Sequence, residues 1–270
     1  VGEKIDYLLI ETLNRYTGKA ISVIVAKDLY TKFFIGENEK LKFEDYEVGK
    51  KNLPFKIISG FKGTELENIR YEQLFPYTQP KNGDAFKVIN ADFVTTEDGT
   101  GIVHLAPSFG ADDNRVCKQK GIGSLTLVDK KGRFVEQVSD FAGMYVKDEF
   151  YSENEKKPKL SVDVQIVIKL KSKNLCFKSE KYNHSYPHCW RTDKPILYYP
   201  MDSWFVKTTD YKSRMIELNK TINWKPKSTG IGRFGSWLEN LVDWNLSRSR
   251  FWGIPLPIWR TIDNNNEICI

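Results

Sequence analysis

The chain has 270 residues, of which 28% are charged, 40% hydrophobic and 13% aromatic, a profile that excludes a disordered tail and suits one large or two small folded domains. Its 41 Lys and Arg against 35 Asp and Glu leave a net charge of +6, a modest surplus that suits a phosphate-bearing partner without identifying one. No stretch reaches the roughly 20 apolar residues of a membrane span, and the four cysteines (Cys117, Cys176, Cys189 and Cys269) are scattered without a C-x-x-C pair, which suggests a reducing compartment.

Residues 1 to about 150 read as mostly strand. Ile21, Val23 and Val25 alternate with Ser22 and Ile24, residues 55–58 form a second β-rich run, and residues 86–94 a third. Thr17-Gly18, Gly60 with Gly63, residues 80–83 and Asp98-Gly99 punctuate them. Short strands of uneven spacing with glycine-marked turns predict a closed or nearly closed β-barrel, which leaves few unpaired edges.

Residues 95–113 read as turn, strand, loop and helix start. Alternation puts Val103 and Leu105 on one side of the strand and Ile102 and His104 on the other. Asp112 and Asp113 fall where the free amides of a helix containing Val116 and Cys117 would meet carboxylates. Two readings stand side by side. One is a satisfied histidine and an ordinary helix cap; the other is a pocket in which a carboxylate holds an ammonium group while an imidazole shapes the site or places water. The run Asp98-Gly99-Thr100-Gly101 lacks the spacing of a phosphate loop.

Lys156, Lys157, Lys159, Lys169, Lys171, Lys173 and Lys178 form either a nucleic-acid stripe or a solvated face. Residues 159–175 are ambiguous: β-branched Val162, Val164, Ile166 and Val167 favour strand, yet Val162, Ile166, Val167 and Leu170 share one helical face that Ser161 could cap. His184, His188 and Cys189 are three potential zinc ligands where four are needed, so no metal site is expected. Two helices follow, one with Tyr211, Met215 and Leu218 in a stripe and one with Phe234, Trp237, Leu238 and Leu241. All seven tryptophans lie from Trp190 onward, which suggests packing against something larger. The start at Val1-Gly2-Glu3-Lys4 and the apolar finish Ile268-Cys269-Ile270 suggest that both ends are cut.

Several segments together resemble isoleucyl-tRNA synthetases. Residues 95–113 resemble the signature of the editing domain that these enzymes insert into a class I catalytic domain, and residues 184–191, Pro195-Ile196-Leu197-Tyr198-Tyr199 and Ser203-Trp204-Phe205 resemble the segment after it. Asn223-Trp224-Lys225-Pro226 and residues 243–259, with Ser247-Arg248-Ser249-Arg250-Phe251-Trp252-Gly253, resemble the return to the catalytic domain. Valyl- and leucyl-tRNA synthetases share this architecture; the Gly101-Ile102-Val103-His104 form followed by Ala106-Pro107 resembles the isoleucyl branch.

The resemblance implies an internal fragment of a cytoplasmic isoleucyl-tRNA synthetase, mainly β, with an editing-domain β-barrel and peripheral helices over residues 1–155 and an α+β connecting segment over 156–270. It implies a helix over residues 161–174, and a threonine-rich strand, one wall of the family's pocket, lying before Val1. The implied activity is hydrolysis of valyl-tRNA(Ile), with Asp113 holding the α-ammonium of the misattached amino acid and His104 bordering its side chain. Its implied partners are the 3′ acceptor end of tRNA(Ile) carrying valine and the remainder of the synthetase, with no membrane involved. No cofactor is implied for editing, whereas ATP with magnesium serves the parent enzyme's catalytic domain. The alternatives are an acceptor-end binding piece without hydrolytic activity, or the equivalent domain of a valyl-tRNA synthetase.

Overall fold

In the computed structural model, residues 1–248, 253–263, 265 and 267–269 are described. They divide into two compact units, Val1–Pro200 and Met201–Ile270.

The first unit is organised by three antiparallel strands, β1 (Asp6–Leu13), β2 (Ala20–Ala26) and β3 (Phe55–Lys62), in the order β2-β1-β3. The hydrophobic run of β1 occupies the centre, where both edges are paired: Ile10 faces Val23 on one side and Ile57 on the other, and the register against β3 shifts between Leu9 and Ile10. Tyr7, Ile10, Phe34, Leu53 and Phe55 are among the residues buried in its core. At about 25 cal/mol per Å² of apolar surface, each of these large side chains contributes on the order of 1.5–3 kcal/mol. A short helix, α1 (Gly63–Leu66), follows β3.

The sheet is open, and this corrects the barrel expected from the sequence. Closure would require a further strand to join an edge, and residues 86–94 were the expected source. They carry no regular strand. Phe86 sits at a φ of 53°, in the left-handed region that interrupts a ladder. The backbone there bonds to a neighbouring loop instead: Val88 N–H donates to Ile69 O at 2.8 Å, and Phe86 O accepts from Tyr71 N–H at 3.0 Å. The chain is not mainly β either, because the remaining sheets among the described residues are two-stranded and short helices with long loops occupy the rest.

Two further clusters lie in this unit. Val116 and Cys117 of helix α2 (Ala111–Gln119) pack with Ile89, and Val162 of helix α3 (Val162–Ser172) packs with Val138 and Phe141. The ambiguous segment is therefore helical. Ser161 caps it, its hydroxyl accepting from Val164 N–H at 3.4 Å, and Lys169 and Lys171 stand in the last turn, where cations meet the free carbonyls.

In the second unit, helices α4 (Lys212–Thr221), α5 (Lys227–Ile231) and α6 (Arg233–Glu239) cluster around the Asn219 side chain. Asn219 donates to Gly230 O at 2.9 Å and accepts from the Trp224 indole at 2.8 Å. Strand β4 (Phe205–Val206) pairs with β5 (Trp244–Asn245), and β6 (Ile258–Arg260) with β7 (Glu267–Cys269). Both helices expected here are present. Their burial is uneven, however, since Tyr211 and Leu218 of the first expected stripe are exposed while Leu238 of the second is buried. No helix among the described residues is long and apolar enough to cross a membrane.

Candidate functional site

Residues 98–113 leave the edge of the three-stranded sheet and end on helix α2. The front of this segment is fastened to the sheet. Tyr7 is fully buried, and its hydroxyl donates to Gly101 O at 2.7 Å while accepting from Gly2 N–H at 2.9 Å. Ala26 N–H at the end of β2 donates to Thr100 O at 2.9 Å. Gly101 is required at this point, because its φ is +74° and an added Cβ would lie 2.5 Å from the Ala26 Cβ. The Gly99 amide, and then Lys32, holds the Asp98 carboxyl below the usual carboxylate range.

Beyond Gly101 the backbone runs irregularly through residues 102–106, where the sequence predicted a strand. Among the described residues no ladder partner reaches it. The expected alternation is not kept: Leu105 packs beside the Val116 and Cys117 cluster, while Val103 is exposed together with Ile102 and His104. Among the described residues His104 has no hydrogen-bond or ion-pair partner, and Thr95 is likewise exposed.

The back of the segment is a turn clipped at three points. Asp113 stands in the first turn of α2 and reaches back, its Oδ2 accepting from Ala106 N–H at 2.9 Å. Among the described residues Oδ1 has no partner. Asn114 donates through Nδ2 to Pro107 O at 2.9 Å, and Phe109 N–H donates to Ala106 O at 2.8 Å. Ser108 is buried, with its Oγ 2.6 Å from Ser124 Oγ and 2.9 Å from Thr126 Oγ1. Gly110 permits the fold-back, because an added Cβ would sit 2.8 Å from Asp113 Oδ2. Below the loop, burial and then the Asp113 charge push the Cys117 thiol up, so it stays protonated at neutral pH.

Chemically, this arrangement is a half-open carboxylate at a helix N-terminus. One oxygen is committed to the backbone and the other is available to a cationic group, while an unpartnered imidazole stands nearby in sequence. The chain itself brings Asp113 to Ala106 and leaves His104 without a tie to Asp113. Sequence reasoning missed Tyr7, Ser108, Asn114, Ser124 and Thr126. Ser124 and Thr126 carried a weak signal, since an i, i+2 pair in extended backbone faces one way.

The other singled-out residues form no second centre. His184 and His188 turn their Nδ1 atoms to Ser185 O and Tyr186 O, and no group of three or more His, Cys, Asp or Glu suited to a metal occurs among the described residues. Of the basic surplus, Lys157 pairs with Asp148, Lys169 with Asp140 and Lys178 with Glu180, while Lys171 lies 4.0 Å from the centre of the Tyr16 ring. Three of the seven lysines are thus neutralised by a carboxylate, which favours a solvated face over an open cationic stripe. Ser203-Trp204-Phe205 and residues 243–247 meet: Trp204 N–H donates to Ser247 Oγ at 2.7 Å and Leu246 N–H to Trp204 O at 2.9 Å. Within the Ser247-to-Gly253 run, Ser249, Arg250, Phe251 and Trp252 lie outside the described residues.

Comparison with known proteins finds that residues 24–270 match the family described as tRNA synthetases class I (I, L, M and V). The whole chain is 58% identical to an isoleucine–tRNA ligase of Cytophaga hutchinsonii, covering 26% of that protein. It is 53% identical to one of Bacteroides fragilis, again covering 26% of it, and 41% identical to one of Treponema denticola, covering 23%. The chain thus spans about a quarter of the length of the curated relatives it matches. These findings correct the assignment to an editing insertion. The match runs through both units and is to the class I synthetase, not to an inserted domain, so the quoted segments mark that synthetase and carry no narrower identity.

Proposed function

Because the chain belongs to the class I tRNA synthetases, we propose that it works as part of an isoleucine–tRNA ligase, with its Asp113 loop serving to release valine from valyl-tRNA(Ile). The observation that carries this reading is the divided Asp113 carboxylate, with Oδ2 fixed by Ala106 N–H at 2.9 Å and Oδ1 without a partner among the described residues. An α-ammonium held at Oδ1 leaves the adjacent ester carbonyl in one orientation toward water, which is catalysis by positioning. His104, exposed on the same segment, borders the amino-acid side chain.

The need for such a step follows from the size of a methylene. One CH₂ in a synthetic pocket discriminates by only about 1–3 kcal/mol. A second pocket that admits valine and clashes with isoleucine supplies the remaining selectivity. On this reading the partners are the aminoacylated 3′ end of tRNA(Ile) and the rest of the synthetase polypeptide, in the cytoplasm. Residues 1–155 carry the Asp113 loop and 156–270 the remainder. On this reading hydrolysis uses no cofactor, and ATP with magnesium belongs to aminoacylation.

A second reading has one observation in its favour: His104 has no orienting partner among the described residues, as suits a surface that holds the acceptor end without cutting it. Deacylation separates the two. The purified chain is mixed with valyl-tRNA(Ile), with isoleucyl-tRNA(Ile) as control and Asp113→Ala as reference. Selective release of valine, slowed on the order of 10–100-fold by Asp113→Ala, is expected. Equal release of both amino acids, or none with tRNA still bound, would sink the hydrolytic reading.

A further inference from the structure

We propose that Ser108 is a positioning residue that sets the Asp113 carboxylate for an ammonium-bearing ligand, acting through the turn at residues 106–110. The inference rests on the Asp113 reading above. Ser108 is 5% exposed, and its Oγ lies 2.6 Å from Ser124 Oγ and 2.9 Å from Thr126 Oγ1. Ser124 and Thr126 are themselves exposed, so water can serve their hydroxyls. The turn is what depends on the contact.

Asp113 and Asn114 tie the turn only to the helix that follows it, through Ala106 N–H and Pro107 O. Among the side chains of residues 106–113, Ser108 alone hydrogen-bonds a segment beyond that helix. Two partners on one hydroxyl fix a direction as well as a place, because the group has a single donor and must accept from the second. Two residues earlier, the Ala106 amide occupies Oδ2 of Asp113, and Phe109 N–H donating to Ala106 O closes the turn between them. A held Ser108 thus holds the Ala106 amide, and the Ala106 amide decides which carboxylate oxygen is left for the ligand. Without the hydroxyl the turn keeps its local bonds and the edge contact of Phe109 with the Tyr199 ring, and loses its hydrogen bond to the segment beyond the helix.

The test is binding of amide-linked valyl-adenosine, which cannot be hydrolysed, beside its α-hydroxy counterpart, in which a hydroxyl replaces the ammonium. Calorimetric titrations compare the unaltered chain with Asp113→Ala, Ser108→Ala and Thr126→Val, the last being an exposed, isosteric change that spares the fold. Ser108→Ala is expected to weaken the ammonium ligand about 5–10-fold, the scale of one hydrogen bond, and Thr126→Val less. The α-hydroxy ligand should change under about twofold with either. Equal weakening of both ligands, or no weakening, would overturn the role of Ser108. If Asp113→Ala discriminates between the ligands while Ser108→Ala and Thr126→Val do not, this proposal alone fails. If Asp113→Ala does not discriminate, or the unaltered chain binds neither ligand, the Asp113 reading fails as well.

Discussion

In Val1–Pro200 the core gathers on one three-stranded sheet, whereas in Met201–Ile270 the only large hydrophobic residue buried among the described residues is Leu238. The second unit is nevertheless the richer in tryptophan, and Trp237, Trp244 and Trp259 stand 57%, 61% and 66% exposed. The contrast lies in what each backbone can enclose. Strand β1 is paired on both sides and brings together residues more than forty positions apart, as in Ile10 against Ile57. Helices of 10, 5 and 7 residues have little lateral surface, and the Asn219 side chain ties the first to Gly230 of the second and to Trp224 between them. Hydrophobic content alone therefore does not make a core; a partner surface does.

The widest gap between the units should appear on truncating one aromatic in each. Phe55→Ala, at a site 1% exposed, is expected to cost about 3–5 kcal/mol, while Trp237→Ala should stay within about 0.5 kcal/mol; urea unfolding followed by circular dichroism reads both. Comparable losses would erase the distinction. Within the second unit the tightest point is Gly230, where an added Cβ would lie 2.1 Å from Trp224 Cδ1, so Gly230→Ala should cost about 1–3 kcal/mol and alter tryptophan fluorescence. Tyr7→Phe removes the hydroxyl that joins the sheet to Gly101, and a loss of about 1 kcal/mol is expected, with faster amide exchange around Thr100. An unchanged exchange rate would mean that Ala26 alone holds that end.

Two smaller effects follow from titration. Burial raises the Cys117 thiol, whereas the Thr192 side chain and the Arg191 and Thr192 amides lower that of Cys189. Brief alkylation near neutral pH should therefore modify Cys189 well before Cys117, as peptide mass spectrometry would show. Arg70, then the Ala85 amide and Lys87, holds the Asp84 carboxyl at about 2, below its ordinary 3.8. Its contribution to stability is thus complete above pH 3.8 and lost as pH falls toward 2, so Asp84→Asn should flatten that part of the acid-stability profile.

The same contrast shows why some features were legible. Strand β2 followed from the alternation of Ile21, Val23 and Val25, and α2 from the carboxylates that open it, because both signals act within a few residues. The Val162–Ser172 helix needed more, since the β-branched residues and the period pointed opposite ways even with Ser161 as a possible cap, and only the family resemblance favoured the helix that the structure shows. The run at residues 86–94 misled because β propensity reports a fit to a half-buried surface and cannot supply the neighbouring strand.

By itself, the order of the residues determined the family, the positions of the principal helices, and the placing of Asp113 in the first turn of α2. Those depend on motif wording, period and capping, which are written locally. Only the tertiary structure decided that the sheet stays open, that Tyr7 holds Gly101 across 94 positions, and that Ser108 finds Ser124 and Thr126. Each requires distant backbone to meet, and hydroxyls and unpaired edges carry no sequence mark of the partner they will take.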